Sequence, residues 1–169
     1  MRRILLFASC LLLPTLTTAS YHGGVRIGYL FPLSTSYDNS EKMLTLEGSA
    51  IYDGGSFIVQ ILHGQSWSET CTEYRMVEFS FIKPLSCNEI SPYLGSGIAI
   101  HRIATSSESN DGFGFSVNTG IIALRRQDVR VVLEVKYASA LVPIGSRESQ
   151  QAITLTLGVS YKAGGLLHF

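Results

Sequence analysis

The sequence predicts an all-β protein, an eight-stranded antiparallel up-and-down transmembrane β-barrel. Three observations lead to this fold class. Eight segments alternate apolar with polar or small residues at a period of two, so each predicted strand has one apolar face. No run of eighteen apolar residues follows the N-terminal region, so no transmembrane helix is predicted there. Long polar connections tend to alternate with tight turns, which is typical of barrels that cross a membrane.

Residues 1–19 are predicted to form a secretory signal peptide that is cleaved after Ala19, and residues 20–169 to form the barrel domain. Two arginines precede an apolar core, and a region of small residues follows it, in the order that signal peptides share. The alternative is a lipoprotein signal that ends at Cys10. That alternative leaves a very short apolar core with further apolar residues after the cysteine, so the first interpretation is preferred.

The alternating segments divide the predicted mature chain into strands, loops and turns. The seventh alternates most clearly, with Val129, Val131 and Leu133 on one face and Arg130 and Glu134 on the other. The predicted strands are 25–33, 43–52, 57–63, 72–82, 92–103, 113–124, 129–137 and a last strand from Ala152 that ends near Lys162 or at Phe169. The predicted loops are 34–42, 64–71, 104–112 and 142–150, opposite the tight turns 53–55 and 125–128 and a longer connection, 83–91.

The apolar faces are predicted to point towards lipid and the polar faces into the barrel. The polar faces carry too many charges for a dry core, whereas opposite charges can pair inside a narrow, wet lumen. Those faces otherwise hold mainly Gly, Ala, Ser and Thr, which suits a small interior. The aromatic residues sort into two levels, as expected for two membrane interfaces. These levels are Tyr29, Phe31, Trp67, Phe113, Phe115 and Tyr137 near the loops, and Tyr52, Phe57, Phe79, Phe81, Tyr161 and Phe169 near the turns.

Four later segments carry a family resemblance: PYLGSGIAI, GFSVNTGIIALRR, VRVVLEVKYA and LTLGVSYK. They look like the fifth to eighth strands of small eight-stranded bacterial outer-membrane β-barrels of the OmpA-like transmembrane domain type. The resemblance is one of pattern, over about residues 21–169, and Gly164-Gly165 depart from it. It implies location in the bacterial outer membrane, contact with outer-membrane lipid, and an anchoring or structural role with surface loops that carry recognition. The final residues KAGGLLHF resemble the signal that the barrel-assembly machinery recognises, with Phe169 as its aromatic end.

Five charged residues of the polar faces are predicted to form a structural charge network in the lumen. They are Arg26, Glu47, Arg130, Glu134 and Lys136. The alternative is a gated ion path through the same residues. A wide diffusion pore is not expected, because side chains fill the interior of an eight-stranded barrel.

No catalytic, cofactor-binding or metal site is predicted. His63 lies near Ser66 and Glu69, and His101 precedes several serines, but neither has a serine two residues further on. A lipid A deacylase-like barrel would need that spacing to present both groups on one strand face. The histidines and cysteines lack metal-site spacing, and nothing in the charge pattern suggests nucleic-acid binding. An outer-membrane lipid-modifying enzyme and a soluble periplasmic barrel that binds a small ligand remain as alternatives.

The two cysteines of the predicted mature chain, Cys71 and Cys87, would ordinarily be expected to pair in a secreted protein. The predicted strand 72–82 separates them, and a strand of about ten residues rises roughly 33 Å. A disulfide needs Cα atoms within about 7 Å of each other. We therefore predict that no Cys71–Cys87 bond forms and that the two thiols lie on opposite sides of the membrane.

Overall fold

The protein forms a closed antiparallel β-barrel in a computed structural model that describes residues 19–33, 42–68, 73–104, 109–143 and 151–163. Eight strands follow one another around the barrel in chain order, and the first pairs with the last to close it. Within these ranges no helix is long and apolar enough to span a membrane. The strands are β1 Ser20–Pro32, β2 Met43–Asp53, β3 Ile58–Trp67, β4 Glu73–Pro84, β5 Ile90–Ala104, β6 Ser109–Ala123, β7 Val129–Pro143 and β8 Gln151–Lys162. The predicted eight-stranded, up-and-down antiparallel barrel is confirmed.

The period-two alternation gives the barrel an apolar outer surface and a largely polar interior. Buried and exposed residues alternate without a break along β4 from Tyr74 to Pro84. Glu78 in that strand is 0% exposed, whereas its neighbour Phe79 is 50% exposed. Every strand places large apolar side chains, at least 40% exposed, on the outer surface. This arrangement reverses the usual one, in which charged side chains face the surroundings.

The two ends of the barrel differ in their connections. At the turn end, short connections at 54–57, 85–89 and 124–128 join β2 to β3, β4 to β5 and β6 to β7. In the first of these Gly55 adopts a φ of 80°, and its N–H donates to the Asp53 carboxylate at 2.7 Å. A side chain at this φ would be strained, so the glycine suits the turn. The opposite end, from which the other connections leave, is called the loop end.

Two predicted loops are wrong because the strands extend beyond the apolar part of the sequence. β3 continues to Trp67, although 64–71 was predicted to be a loop, and β5 and β6 leave only 105–108 between them instead of 104–112. Near this end, polar outward residues lie opposite one another across four strands. Their row runs Gln65, Arg75, Arg102 and Asp111 on β3 to β6, with Arg102 and Asp111 paired at 2.5 Å. The Arg102–Asp111 pair supports the ladder there, whereas Arg75 and Arg102 place like charges opposite each other.

Aromatic side chains line both ends of the outer surface. At the turn end, Tyr21, Tyr52, Phe57 and Phe81 form a chain of ring contacts with centroids 5.4 to 5.9 Å apart. Towards the loop end, the rings of Phe115 and Tyr137 lie 6.2 Å apart, and Tyr29, Phe31, Trp67 and Phe113 are exposed. Tyr21 was absent from the predicted levels because β1 begins five residues earlier than the predicted strand.

Several predictions concern residues outside the described ranges. The signal peptide up to residue 18, Cys71 and Phe169 are among them, so these predictions stay predictions. Cys87 lies in the connection 85–89 at the turn end and is an exposed, free cysteine. β4 occupies the chain between the two cysteine positions.

Candidate functional site in the barrel interior

Charged side chains meet in the middle of the barrel interior in a set that we call the central cluster: Arg26, Glu47, Glu78, Glu134 and Lys136. Arg26 Nη1 lies 2.7 Å from Glu134 Oε1 and 3.8 Å from Glu47 Oε2. Lys136 Nζ lies 3.2, 3.4 and 3.5 Å from carboxylate oxygens of Glu78, Glu47 and Glu134. No side chain of the cluster is more than 4% exposed. Buried charges are stable only when they are paired in this way.

Neutral side chains complete the hydrogen bonding around Arg26 and Glu134. The Tyr93 hydroxyl donates to Glu134 Oε2 at 2.6 Å, and Asn118 Nδ2 donates to the same oxygen at 3.1 Å. Arg26 Nη2 donates to Gln60 Oε1 at 2.7 Å. Glu134 therefore accepts hydrogen bonds at both oxygens, from a cation and from two neutral donors.

The central cluster holds three carboxylates and two cations, a formal charge of −1 when all are ionised. Glu78 is the least well held of the three carboxylates. It lies 3.2 Å from Lys136, but neither of its oxygens has a hydrogen-bond partner among the described residues. Lys136 and Glu78 are close enough for a charge contact, but their orientation does not form a hydrogen bond. An incompletely satisfied buried carboxylate costs stability.

Small residues on neighbouring strands make room for the large interior side chains. Arg26 lies opposite Glu47 on β2 and opposite Gly158 on β8. A Cβ at Gly158 would collide with the Arg26 side chain and the backbone of β1. A Cβ at Gly120 would come within 2.7 Å of the Tyr93 hydroxyl. These two glycines therefore allow a guanidinium and a phenol to lie across the narrow lumen.

Two apolar layers separate the central cluster from the ends of the barrel. The loop-end layer consists of Leu30, Met43, Leu62, Tyr74, Met76, Ala99, Ile103 and Ala152. The turn-end layer consists of Ile51, Ile58, Ile82, Tyr93, Ile122 and Val132. The expectation that the interior holds mainly small residues beside its charges is therefore wrong in these two layers.

A second ionic set, the mouth cluster, lies at the turn end and contains Arg130. Its members are Asp53, Arg125 and Arg130, with Arg130 Nη1 2.8 Å and Arg125 Nη2 3.5 Å from the Asp53 carboxylate. The structure thus brings together four of the five predicted network residues and places Arg130 in a different cluster. Arg130 and Arg26 both border a cavity of about 20 Å³ in the turn-end layer, which is about the volume of one water molecule.

Among the described residues, the histidines show no arrangement typical of nucleophilic catalysis. His63 is exposed on the outer surface of β3, whereas Ser66 is buried and bonded to Thr45, so the two lie on opposite faces. His101 is buried and its Nδ1 lies 2.5 Å from the Tyr74 hydroxyl. His22 was not among the residues considered from the sequence, and its Nε2 lies 2.9 Å from Ser20 Oγ. Nδ1 of His22 has no partner in the described part of the chain, so no acid orients the ring as a catalytic triad requires.

No group of three or more histidine, cysteine, aspartate or glutamate side chains among the described residues could hold a metal ion. The cations of the central cluster lie directly between the carboxylates and occupy the positions that a metal would need. The chemistry of the site is therefore that of paired charges and hydrogen bonds.

Comparison with known proteins identifies the fold. No family model matches the sequence, and no curated protein matches it significantly. Among solved structures, the crystal structure of neisserial surface protein A is similar, with a TM-score of 0.72 and 17% identity, covering 85% of this chain and 98% of that chain. The N-terminal β-barrel domain of Pseudomonas aeruginosa OprF has a TM-score of 0.59 and 10% identity, covering 85% and 100%. The outer membrane enzyme PagL has a TM-score of 0.55 and 12% identity, covering 83% and 98%.

These proteins are small outer-membrane β-barrels, and the chain has their fold. The predicted resemblance to the eight-stranded outer-membrane barrels is therefore confirmed at the level of the fold. At identities of 10 to 17%, the similarity shows a shared fold. It does not show that this chain shares the functions of those proteins.

Proposed function

We propose that this chain is an integral protein of the bacterial outer membrane, whose barrel is an anchor and whose loop end carries recognition. The observation that supports this most directly is the polarity of the barrel wall. Large apolar side chains cover the outside of all eight strands, while Arg26, Glu134 and Lys136 are buried inside. An apolar surface of this extent is not stable in water, whereas a bilayer removes it from water.

The same polarity argues against the soluble ligand-binding alternative. A soluble barrel that binds a small apolar ligand needs an apolar cavity and a polar exterior. Here the interior is crossed by the central cluster, and the outer surface is apolar between its two aromatic levels.

The interior supports an anchor rather than a wide channel. The central cluster lies between the loop-end and turn-end layers, and both consist of buried side chains. An ion that passed along the axis would have to displace both apolar layers and break the ion pairs of the cluster. Eight-stranded barrels are commonly filled in this way.

Recognition is assigned to the loop end because its two longest connections start from neighbouring strands on one side of the barrel. Residues 33–42 join β1 to β2, and residues 144–150 join β7 to β8. Since β1 pairs with β8, the strands that begin and end these connections are neighbours. They are the segments that we expect to meet a partner outside the cell.

Location can be tested by membrane extraction and by gel mobility. A carbonate or urea wash should leave the protein in the membrane fraction, and unboiled samples should migrate differently from boiled ones, because a folded barrel resists detergent. A protein that washes off and shows no heat-dependent mobility would contradict the proposal. Incubation with lipopolysaccharide and mass analysis of the lipid tests the enzyme alternative, which predicts a modified product.

The assembly partner that we propose is the barrel-assembly machinery, through the C-terminal segment that ends in Phe169. Deletion of Phe169 should lower the yield of heat-modifiable protein in the outer membrane. The same variant refolded from urea into vesicles should form the barrel, since the deleted residue lies beyond β8. An unchanged yield in cells would mean that the terminal pattern is accidental.

A further inference from the structure

The turn end of the barrel contains a cavity of about 310 Å³, and four of its ten lining residues are cations. We call it the turn-end cavity. Its charged lining residues are Asp53, Arg125, Arg126, Arg130 and Lys162. They come from the end of β2, the turn 124–128, β7 and the end of β8. Four cations therefore surround this cavity from several directions with one carboxylate among them.

The two innermost arginines share a single counter-charge. Arg125 and Arg130 both contact Asp53, and all three residues are at most 7% exposed. This buried set carries a formal charge of +1, to which Arg126 and Lys162 add at the rim. Asp128 lies 3.9 Å from Lys162 and contributes little at that distance, because both side chains are exposed. Buried positive charge without a full counter-charge is costly, so the cavity favours an anion.

The donors of the cavity are held in place before any anion arrives. Arg125 Nη1 donates to the Ser86 carbonyl at 2.5 Å, and Nη2 donates to the Gly55 carbonyl at the same distance. Arg126 Nε donates to the Cys87 carbonyl at 3.1 Å. Nε of Arg130 is buried and has no hydrogen-bond partner among the described residues. A fixed set of guanidinium groups with an unused donor is typical of an anion site.

We propose that the turn-end cavity binds a phosphate group, either as free phosphate or as the headgroup of a phospholipid. Guanidinium forks match phosphate oxygens, and cations on several sides suit its several acceptor oxygens better than the two of a carboxylate. The proposal goes beyond the proposed anchoring function, because it assigns a ligand to the opposite end of the barrel.

The test uses the folded protein in non-ionic micelles, titrated calorimetrically with sodium phosphate against sodium chloride of equal ionic strength. The decisive variant is Arg126→Gln/Lys162→Gln, which removes two rim cations and leaves the buried pair with Asp53 intact. The control is Arg102→Gln, which also removes an exposed cation, at the loop end. Heat-dependent gel mobility verifies that each variant is folded.

Saturable binding of one phosphate by the unchanged protein is expected. The double variant should weaken it by about tenfold or more, since a hydrogen bond to a charged group contributes about that factor, and Arg102→Gln should leave it within about twofold. Equal weakening by Arg102→Gln would overturn the proposal, because it would show general charge attraction.

Cys87 lines the same cavity and serves as a reporter of the source of the phosphate. In a Cys71→Ser background, a neutral maleimide should label Cys87 more slowly when the cavity is occupied. Protection by sodium phosphate identifies a free anion as a sufficient ligand. Protection by short-chain phosphatidylglycerol alone, with diacylglycerol as the phosphate-free control, identifies a lipid headgroup. Absence of protection by both, together with no calorimetric binding, would overturn the proposal.

Discussion

The central cluster predicts that its carboxylates contribute very unequally to stability. Glu134→Gln keeps the side-chain volume but replaces one carboxylate oxygen with an NH2 group. Glu134 accepts hydrogen bonds from Arg26, Tyr93 and Asn118, so the new NH2 group either faces the donors of Arg26 or requires Tyr93 and Asn118 to become acceptors. Removal of one partner from a buried ion pair costs about 3–5 kcal/mol. We expect a loss in this range for Glu134→Gln.

Glu78→Gln is the matched variant, with the same chemical change at the same depth. Glu78 accepts no hydrogen bond in the described part of the chain and contacts one cation, Lys136, at 3.2 Å. Lys136 keeps its contacts with Glu47 and Glu134 after the change. The variant also removes the excess negative charge of the cluster. It should therefore cost about 1 kcal/mol or less, since no hydrogen bond is lost.

Urea unfolding in lipid vesicles, followed by the fluorescence of Trp67, measures both free energies of unfolding. Equal slopes of unfolding free energy against urea concentration would show that the two variants expose the same surface area on unfolding. We expect a difference of about 2 kcal/mol or more between the losses of the two variants. Equal losses would refute it, because they would show that the cluster distributes its charge over all three carboxylates. A negligible loss for Glu134→Gln would refute the assumption that the interior is poorly solvated.

Three further predictions test the wall, the packing and the topology of the barrel. Leu157 lies on the outer face and is 54% exposed, so Leu157→Arg should lower the free energy of unfolding in vesicles by about 2–4 kcal/mol. An equal loss for Leu157→Gln would show that the side chain does not face lipid. Gly158→Ala should lower the free energy of unfolding by about 1–3 kcal/mol, because the added methyl overpacks the interior; urea unfolding measures the loss. The control is Gly48→Ala, whose added Cβ has no atom within 4 Å. It should change stability by less than about 0.5 kcal/mol. On intact cells a membrane-impermeant maleimide should label Cys71 and spare Cys87; a native crosslink between them, found by non-reducing peptide mapping, would show that β4 does not cross the membrane.

The strand count and the facing of each strand follow from alternation, but the ends of strands do not. The outward residues change from apolar to polar near the loop end, at Gln65 on β3 and Asp111 on β6. A polar residue on the outward face breaks the pattern that identifies a strand, so β3 and β6 were predicted too short at the loop end. Cross-strand partners such as Asp111 stabilise these ends, and such pairing is known only when the register is known.

The grouping of interior charges also depends on information that alternation does not contain. Arg130 and Lys136 share the inward face of β7, so both were assigned to one network. Six residues of strand separate them by roughly 20 Å along the strand, and the structure places Arg130 beside Asp53 and Lys136 beside Glu47. Odd or even position within a strand decides whether a residue points inward or outward. Its depth along the barrel axis depends on how neighbouring strands are staggered.

The layered interior explains how one barrel can combine a sealed centre with an open ionic end. The central cluster has a formal charge of −1 and the mouth cluster one of +1, and the turn-end layer lies between them. An anion that enters the turn-end cavity reaches Arg130 and then meets buried isoleucine and valine side chains beyond it. The negative charge of the central cluster would oppose any further movement. The same arrangement that closes the barrel to ions therefore makes its turn end a blind binding site.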